Sequence, residues 1–493
     1  MKTRFFLFLL CVGLMPTVAH ADVKPNALCS EGMVLQQKSN AKIWGTAEKG
    51  EKVTVTFRDT KANTVTGDDG RWVVDLATGA AGGPFELTIV GNNTIAYKNI
   101  LVGEVWICSG QSNMEQSING SDKGDREAAT SVPHNPMLRM FTVKKSPQTT
   151  AQSDTGGNWV EAAPKTVGNF SAVAYFFGRS LNEKRNVPVG LIHTSWGGTR
   201  IETWMSPSAL APFEKAPANA KPGNPNGASQ LYNGMIHPLL NYQVKGAIWY
   251  QGESNAGNAF KYRSMHPAMI ENWRADFKNP DLAFHFVQLA PFTQTPKAPG
   301  ESRWAELREA QTMTLSKLKN VGQAVITDCG DEADIHPVPK RPIGERLALA
   351  ALAKTYGEKI VYSGPMYKSV KFDGNKATLT FDHIGGGLVG KELVATPSYN
   401  KNAKNSFAYR VKADSPDAPI VVGFTVCGKD KVFHPASADI VGDVVVVSSN
   451  KVAEPIAVRY GWADHPICGL YNREGLPASP FRTDDFRGIT QPK

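Results

Sequence analysis

The sequence predicts an α/β protein: a parallel sheet covered by helices on both faces, flanked by an N-terminal β-sandwich and a C-terminal β-rich module. Three observations predict it. Between residues 101 and 360, nearly continuous apolar runs of strand length alternate with amphipathic stretches of helical period, the pattern of strands buried on both faces. Residues 22–100 and 361–493 carry short apolar strands separated by turn signals, with no helical period. At 493 residues the chain is also too long for one ordinary core, and two to four domains of roughly 100–250 residues are expected.

Residues 1–21 read as a secretory leader. Lys2 and Arg4 precede an apolar run over 5–14, and Ala19-His20-Ala21 forms a small-x-small cleavage site before Asp22. That run is too short to span a bilayer, and no later stretch reaches the ~20 apolar residues of a membrane-spanning helix. Cys11 lacks the small residues that a lipid-attachment site places before it. The expectation is an exported protein, periplasmic or extracellular, without membrane insertion.

The formal net charge of +9 falls to +7 when the leader is removed. Its basic residues form no run and do not alternate with aromatics, so they read as solvated surface with a mild bias toward acidic ligands, and no nucleic-acid partner is expected. Cleavage leaves Cys29, Cys108, Cys329, Cys427 and Cys468, too few for a disulfide framework and without a Cys-x-x-Cys pair. Buried free thiols are expected, with a single Cys427–Cys468 bridge as the alternative.

The N-terminal module takes strands at 33–35, 41–45, 52–57, 72–76 and 85–90, with turns at Glu48-Lys49-Gly50, Asp68-Asp69-Gly70 and Gly82-Gly83-Pro84. Central strands fall at 104–109, 189–194, 246–250, 283–289 and 324–328. Helices fall at 170–185, 262–277, 302–319 and 342–356, the last with Pro342 at its first position. Residues 115–166, rich in Ser, Asn, Pro and Gly, are expected as a long loop walling a cleft on the strand-tip side. Strands at 368–372, 376–381, 420–424, 443–448 and 455–460 build the C-terminal module. Whether the two β regions share a sheet is open at this level.

Four central strand tips carry polar clusters. Gly110-Gln111-Ser112-Asn113-Met114 follows the run 104–109, which exposes Ser112 at the sheet edge where ligands bind. The helix start there offers backbone N–H groups to a developing oxyanion. Met114 occupies the place of the second glycine of a Gly-x-Ser-x-Gly elbow. His193-Thr194-Ser195-Trp196-Gly197-Gly198-Thr199 ends the second strand, and paired glycines let backbone approach a ligand. Gln251-Gly252-Glu253-Ser254-Asn255 ends the third, placing amides and a carboxylate beside a reacting carbonyl. After the last strand, Asp328, Asp331, Glu332 and Asp334 surround His336, a pattern suited to an oriented general base. A helix-capping cluster or a calcium loop is the alternative for those carboxylates, without EF-hand spacing. No His-Glu-x-x-His and no phosphate-binding Gly-x-x-x-x-Gly-Lys occurs, and hydride and phosphoryl transfer drop out.

Gly-Gln-Ser-Asn-Met, Gly-Gly-Thr, Trp-Tyr-Gln-Gly-Glu-Ser-Asn-Ala and Asp-Ile-His-Pro occur in that order, and together they resemble the sialate O-acetylesterase family of SGNH hydrolases. The likeness runs from Met33-Val34-Leu35-Gln36-Gln37 to Pro480-Phe481-Arg482. It implies a flavodoxin-like three-layer α/β/α SGNH-hydrolase domain and a carbohydrate O-acetylesterase acting through an acyl-enzyme, with no metal or cofactor required. In that reading Ser112 is the nucleophile, His336 the base and Asp334 its orienting acid. The oxyanion hole draws on the N–H of Ser112, on Gly197 or Gly198, and on the amide of Gln251, with Asn255 competing. Gln111 and Asn113 support the serine loop, Glu253 binds a sugar hydroxyl, and Arg200 serves a substrate carboxylate or the local structure. One departure concerns the acid. Family enzymes place it three residues before the histidine, where Ala333 stands, so Asp331 or a backbone carbonyl competes with Asp334. The implied substrate is an acetylated sialic acid, with acetylated plant polysaccharide as the alternative and an inactive glycan-binding protein as the reading from another class.

Overall fold

The computed structural model describes residues 22–214, 220–413 and 415–492, and the expected leader lies outside them. Its central sheet is built from β1 (Thr94–Gly110), β2 (Asn135–Thr142), β3 (Trp159–Ala162), β4 (Val189–Ser195), β5 (Gly246–Tyr250), β6 (Ala283–Val287) and β7 (Val321–Ala324). In space they run β3-β2-β4-β1-β5-β6-β7. Every neighbouring pair is parallel except β3, which lies antiparallel to β2 at the edge. With that edge pair set aside, strand order reverses around β1, and ligands of open α/β sheets bind outside the strand ends at such a reversal.

The helices that matter here are α1 (Ser112–Glu115), α2 (Lys123–Thr130), α3 (Ala172–Arg185), α4 (Ala259–Asp276), α5 (Arg303–Thr312) and α6 (Arg341–Lys354). Side-chain alternation along the strands separates two cores. Val105 and Ile107 of β1, with Trp249 of β5 and Phe286 of β6, pack with Tyr262, Met269 and Trp273 of α4. Trp106, Cys108, Ile248 and Tyr250 turn to the other face, against Phe176 and Phe177 of α3 and Leu347 of α6. The mostly buried strands therefore read as continuous apolar runs, because both of their faces are covered.

The N-terminal strands are not a separate bead. Val34–Gln36 pairs parallel with β1, and Gly82–Val90 pairs with it antiparallel. β1 is 17 residues long and crosses the boundary expected at residue 100, its first half in the β-rich module and its second in the central sheet. Val105 and Ile107 of the second half share one core with the N-terminal strands. Strand Thr60–Val65 is polar and largely exposed, held by its ladder to Lys52–Phe57, so no apolar period announces it.

Other elements depart from expectation. Residues 115–166, expected as a loop, contain α2, β2 and β3. The last central strand ends at Ala324, where the expected one begins, because its partner β6 ends opposite it at Val287. The helix expected over 302–319 is divided after Thr312, and Pro342 takes the second position of α6.

In the C-terminal module, Met366–Asp373, Lys376–Asp382, Val444–Ser448 and Ser437–Val441 form one sheet, and Phe424–Cys427 and Ala457–Tyr460 lie in another. The strand expected at 420–424 begins only at Phe424; Ile420 and Val422 face solvent. Among the described residues the two β regions share no sheet. A hairpin, Leu393–Pro397 with Phe407–Val411, leaves this module toward the strand tips. All five described cysteines are free and buried.

Candidate active site

At the end of β1 the backbone of Gly110 presses on β5. Its φ is +142°, and a β-carbon there would lie 2.1 Å from the Tyr250 carbonyl oxygen, so only glycine fits. Gln111 N–H then donates to that same oxygen at 3.0 Å. The next residue, Ser112, opens the single turn α1. Its N–H is one of the donors a helix start leaves without an intrahelical acceptor.

The loop after β7 returns across this tip. Ser112 Oγ lies 2.9 Å from His336 Nε2, and His336 Nδ1 lies 3.3 Å from Asp334 Oδ1. That same carboxylate oxygen accepts the His336 backbone N–H at 2.8 Å, a tight local turn that makes two-residue spacing workable. Burial alone would raise the Asp334 carboxyl; hydrogen bonds from the ring and backbone of His336, with the charges of His336 and Lys340, hold it below the usual carboxylate range. The imidazole is 40% exposed, so a substrate can reach it.

The remaining carboxylates of this loop have other partners. Asp328 forms a paired ion bridge with Arg346 at 2.7 and 2.6 Å. Asp331, the competing acid, accepts from the N–H groups of Ala333 and Asp334, from Ser398 Oγ and from Tyr399 N–H. Glu332 accepts from the N–H groups of Thr295 and Phe407. Among the described residues, no group of three or more His, Cys, Asp or Glu side chains is placed to hold a metal ion.

The expected oxyanion donors separate. A β-carbon on Gly197 would lie 3.2 Å from Ser112 Cβ, which puts this glycine against the serine. Its N–H, however, donates to Glu115 Oε2 at 2.6 Å. Gly198, at φ +73°, has no hydrogen bond on its N–H among the described residues. Gln251 is fully buried. Both of its amide hydrogens are engaged, by Thr199 O at 3.1 Å and Asn255 Oδ1 at 2.7 Å, so the amide expected to face the oxyanion faces the protein. Asn255 gives one hydrogen to Glu202 Oε2 at 2.9 Å and keeps a second.

Asn113 links three of the loops. Its Nδ2 donates to Glu253 Oε1 at 2.6 Å and to the Ile335 carbonyl at 3.1 Å, and its Oδ1 accepts from Lys340 Nζ at 2.6 Å. Glu253 Oε2 is buried with no hydrogen-bond partner among the described residues, and burial raises its carboxyl. Gln111 Oε1 accepts from Ser254 N–H at 3.4 Å. Arg200 lies 3.7 Å from Glu202 and 3.8 Å from Glu214, its charge already faced by two carboxylates.

Sequence reasoning missed Glu115, Glu202, Lys340 and the hairpin from the C-terminal module. Lys340 did leave a signal. It is the N-cap of α6, and a cation at a helix N-terminus opposes the macrodipole, the kind of local conflict that accompanies function.

Residues 102–353 match the family described as carbohydrate esterase, sialic acid-specific acetylesterase. The chain belongs to that family. This esterase is 39% identical to a carbohydrate acetylesterase from Xanthomonas citri whose crystal structure covers 94% of this chain and 100% of that one, with a TM-score of 0.82. It is 29% identical to the sialate O-acetylesterases of Rattus norvegicus and Homo sapiens, over 91% of this chain and 92% and 90% of theirs.

Proposed function

We propose that this esterase removes acetyl groups from sugar hydroxyls through a serine acyl-enzyme, on a flavodoxin-like SGNH domain that corresponds to residues 101–360. The observation that carries the reading is the Ser112–His336–Asp334 hydrogen-bonded chain, drawn from strand tips 224 residues apart. Ser112 Oγ attacks the acetyl carbonyl while its proton passes to His336 Nε2. The C–O bond to the sugar then breaks, and His336 returns the proton to the departing sugar oxygen. Water, deprotonated by the same imidazole, attacks the acetyl-serine and releases acetate and Ser112. Asp334 holds the ring and stabilises the imidazolium. Ser112 N–H, Gly198 N–H and the second Asn255 hydrogen are the donors left for the oxyanion.

O-acetylated sialic acid is the substrate in this reading, in line with the names of the mammalian relatives. One observation favours a second substrate. Arg200 already faces Glu202 and Glu214, which leaves it poorly placed to take a sialate carboxylate and suits a neutral acetylated polysaccharide such as xylan. Export to the periplasm or beyond follows from the leader-like residues 1–21. The assembled triad argues against an inactive glycan-binding protein.

Acetate release from an acetylated sialic acid and from an acetylated xylan, each with wild type and Ser112→Ala, tests both points. Loss of the nucleophile should lower kcat by on the order of 10⁶. Equal rates for the two proteins would end the esterase mechanism, and the preferred substrate decides between the two glycans.

A further inference from the structure

We propose that Lys340 is a positioning residue for acyl transfer: its ammonium fixes which way the Asn113 amide faces, and that amide ties the serine turn to the Glu253 and His336 loops. This rests on the reading of Ser112 and His336 as nucleophile and base.

The argument begins with an inventory of donors. An ammonium only donates, so the atom of Asn113 that meets Lys340 Nζ at 2.6 Å must be the oxygen. The Nδ2 group, with two hydrogens, is thereby aimed at its two acceptors, Glu253 Oε1 at 2.6 Å and Ile335 O at 3.1 Å. No donor or acceptor of the amide's three polar contacts is arbitrary once the lysine is charged. The consequence reaches the reacting atoms by one covalent step on each side. Asn113 follows Ser112, and Ile335 precedes His336, so one amide bridges the nucleophile's turn to the base's loop.

Lys340 is fully buried, and its own backbone N–H is anchored to Asp125 Oδ2 at 2.6 Å. No carboxylate touches its Nζ among the hydrogen bonds and ion pairs of the described residues; the ring of Tyr250 lies 5.5 Å away. A buried ammonium without a direct counter-ion is costly to keep for packing alone. A neutral amine, by contrast, can accept as well as donate, and the amide loses its fixed sense.

The groups that face Lys340 are Glu253 after β5, Cys329 and Asp334 in the loop after β7, Asp125 of α2 and Tyr250 of β5. Burial lowers the Lys340 ammonium to about 7. Of its neighbours, Cys329 is pushed up to about 12 and Asp334 lies below the usual carboxylate range. Burial raises both Glu253 and Asp125, and their ionisation adds charge as pH rises. Lys340 therefore has the opposite sign: its charge, and the order it imposes, is lost as pH rises.

Full-length wild type, Lys340→Met, Asn113→Ala and the double variant are compared by kcat, KM and pH profile on an aryl acetate, with Ser112→Ala as reference. Lys340→Met should lower kcat by on the order of 10²-fold with KM changed less than about threefold, and should lack the alkaline fall expected of wild type. The double variant should be no slower than the slower single, because one residue acts through the other. A folded Lys340→Met enzyme with wild-type kcat and an unaltered alkaline limb would overturn the proposal. So would additive losses in the double variant. If Lys340→Met does not fold, Asn113→Ala carries the test: wild-type kcat in that variant overturns the proposal, and a kcat loss with removal of the alkaline limb supports it. Activity persisting in Ser112→Ala would instead sink the underlying assignment of the nucleophile.

Discussion

Asp334 shows how much one side chain's position decides. Two residues before the histidine it still meets Nδ1 at 3.3 Å, because its oxygen also closes a turn on the His336 backbone N–H. Replacing it with Asn keeps the shape and removes the charge, which should lower kcat by on the order of 10⁴-fold. Stability carries its own signature. A carboxyl held low in the fold contributes above its unfolded value of about 3.9, and that contribution disappears as pH falls through the folded value. Urea unfolding of wild type and Asp334→Asn should therefore differ at neutral pH and converge in acid. A difference constant across both ranges would contradict that contribution. The pairing itself was legible in the sequence as Asp-Ile-His. The choice between Asp334 and Asp331 was not, because it depends on where Asp331 finds its other partners, Ser398 and Tyr399, 67 and 68 residues away.

Among the elements, the hairpin Leu393–Pro397 with Phe407–Val411 gives the C-terminal module a hold on the loop of Asp334 and His336. Asp331 accepts from Ser398 and Tyr399, Glu332 from Phe407, and Arg410 donates to the carbonyls of Asp328 and Gly330. The loop that carries Asp334 and His336 is thus clasped along its length by another module. Cutting the clasp with Asp331→Ala removes four hydrogen bonds and should lower kcat on the order of 10²-fold through misplacement of His336, with little change in KM. Steady-state kinetics on an aryl acetate check it; an unchanged kcat would show that the loop holds itself. The strands of the central sheet were readable because burial on both faces leaves long apolar runs. Thr60–Val65 and β3 were not, since an edge strand is defined by its neighbour's backbone more than by its own side chains; β2 lies between two neighbours, and Pro136 and the buried Arg139 interrupt its apolar run.

Over the whole molecule, one core joins the N-terminal strands to one face of the central sheet, a second fills the other face, and a third lies in the C-terminal module. The tail closes the assembly: Arg482 pairs with Glu309 of α5, and Ile489 N–H donates to Glu306 at 2.6 Å. No disulfide takes part among the described residues, and burial pushes the Cys29, Cys329 and Cys468 thiols up to about 12. Thiolates are the reactive form, so an aromatic disulfide reagent should label none of the five described cysteines in the native protein and all five after denaturation. Added reductant should leave the thermal midpoint unchanged. Rapid native labelling, or a midpoint lowered by reductant, would show that the packing differs.

By itself the sequence determined the mixed α/β class, the four polar strand-tip clusters and the motifs of a carbohydrate esterase family. Those features are local: apolar period, glycine at tight turns, and polar residues where a buried strand ends. Tertiary structure alone decided which amide faces inward, which glycine keeps a free N–H, that β1 serves two modules, and that Lys340 sits beneath the serine turn. Each of these depends on hydrogen-bond partners supplied from distant parts of the chain, and a buried polar group is assigned its role by whichever partner reaches it first in space.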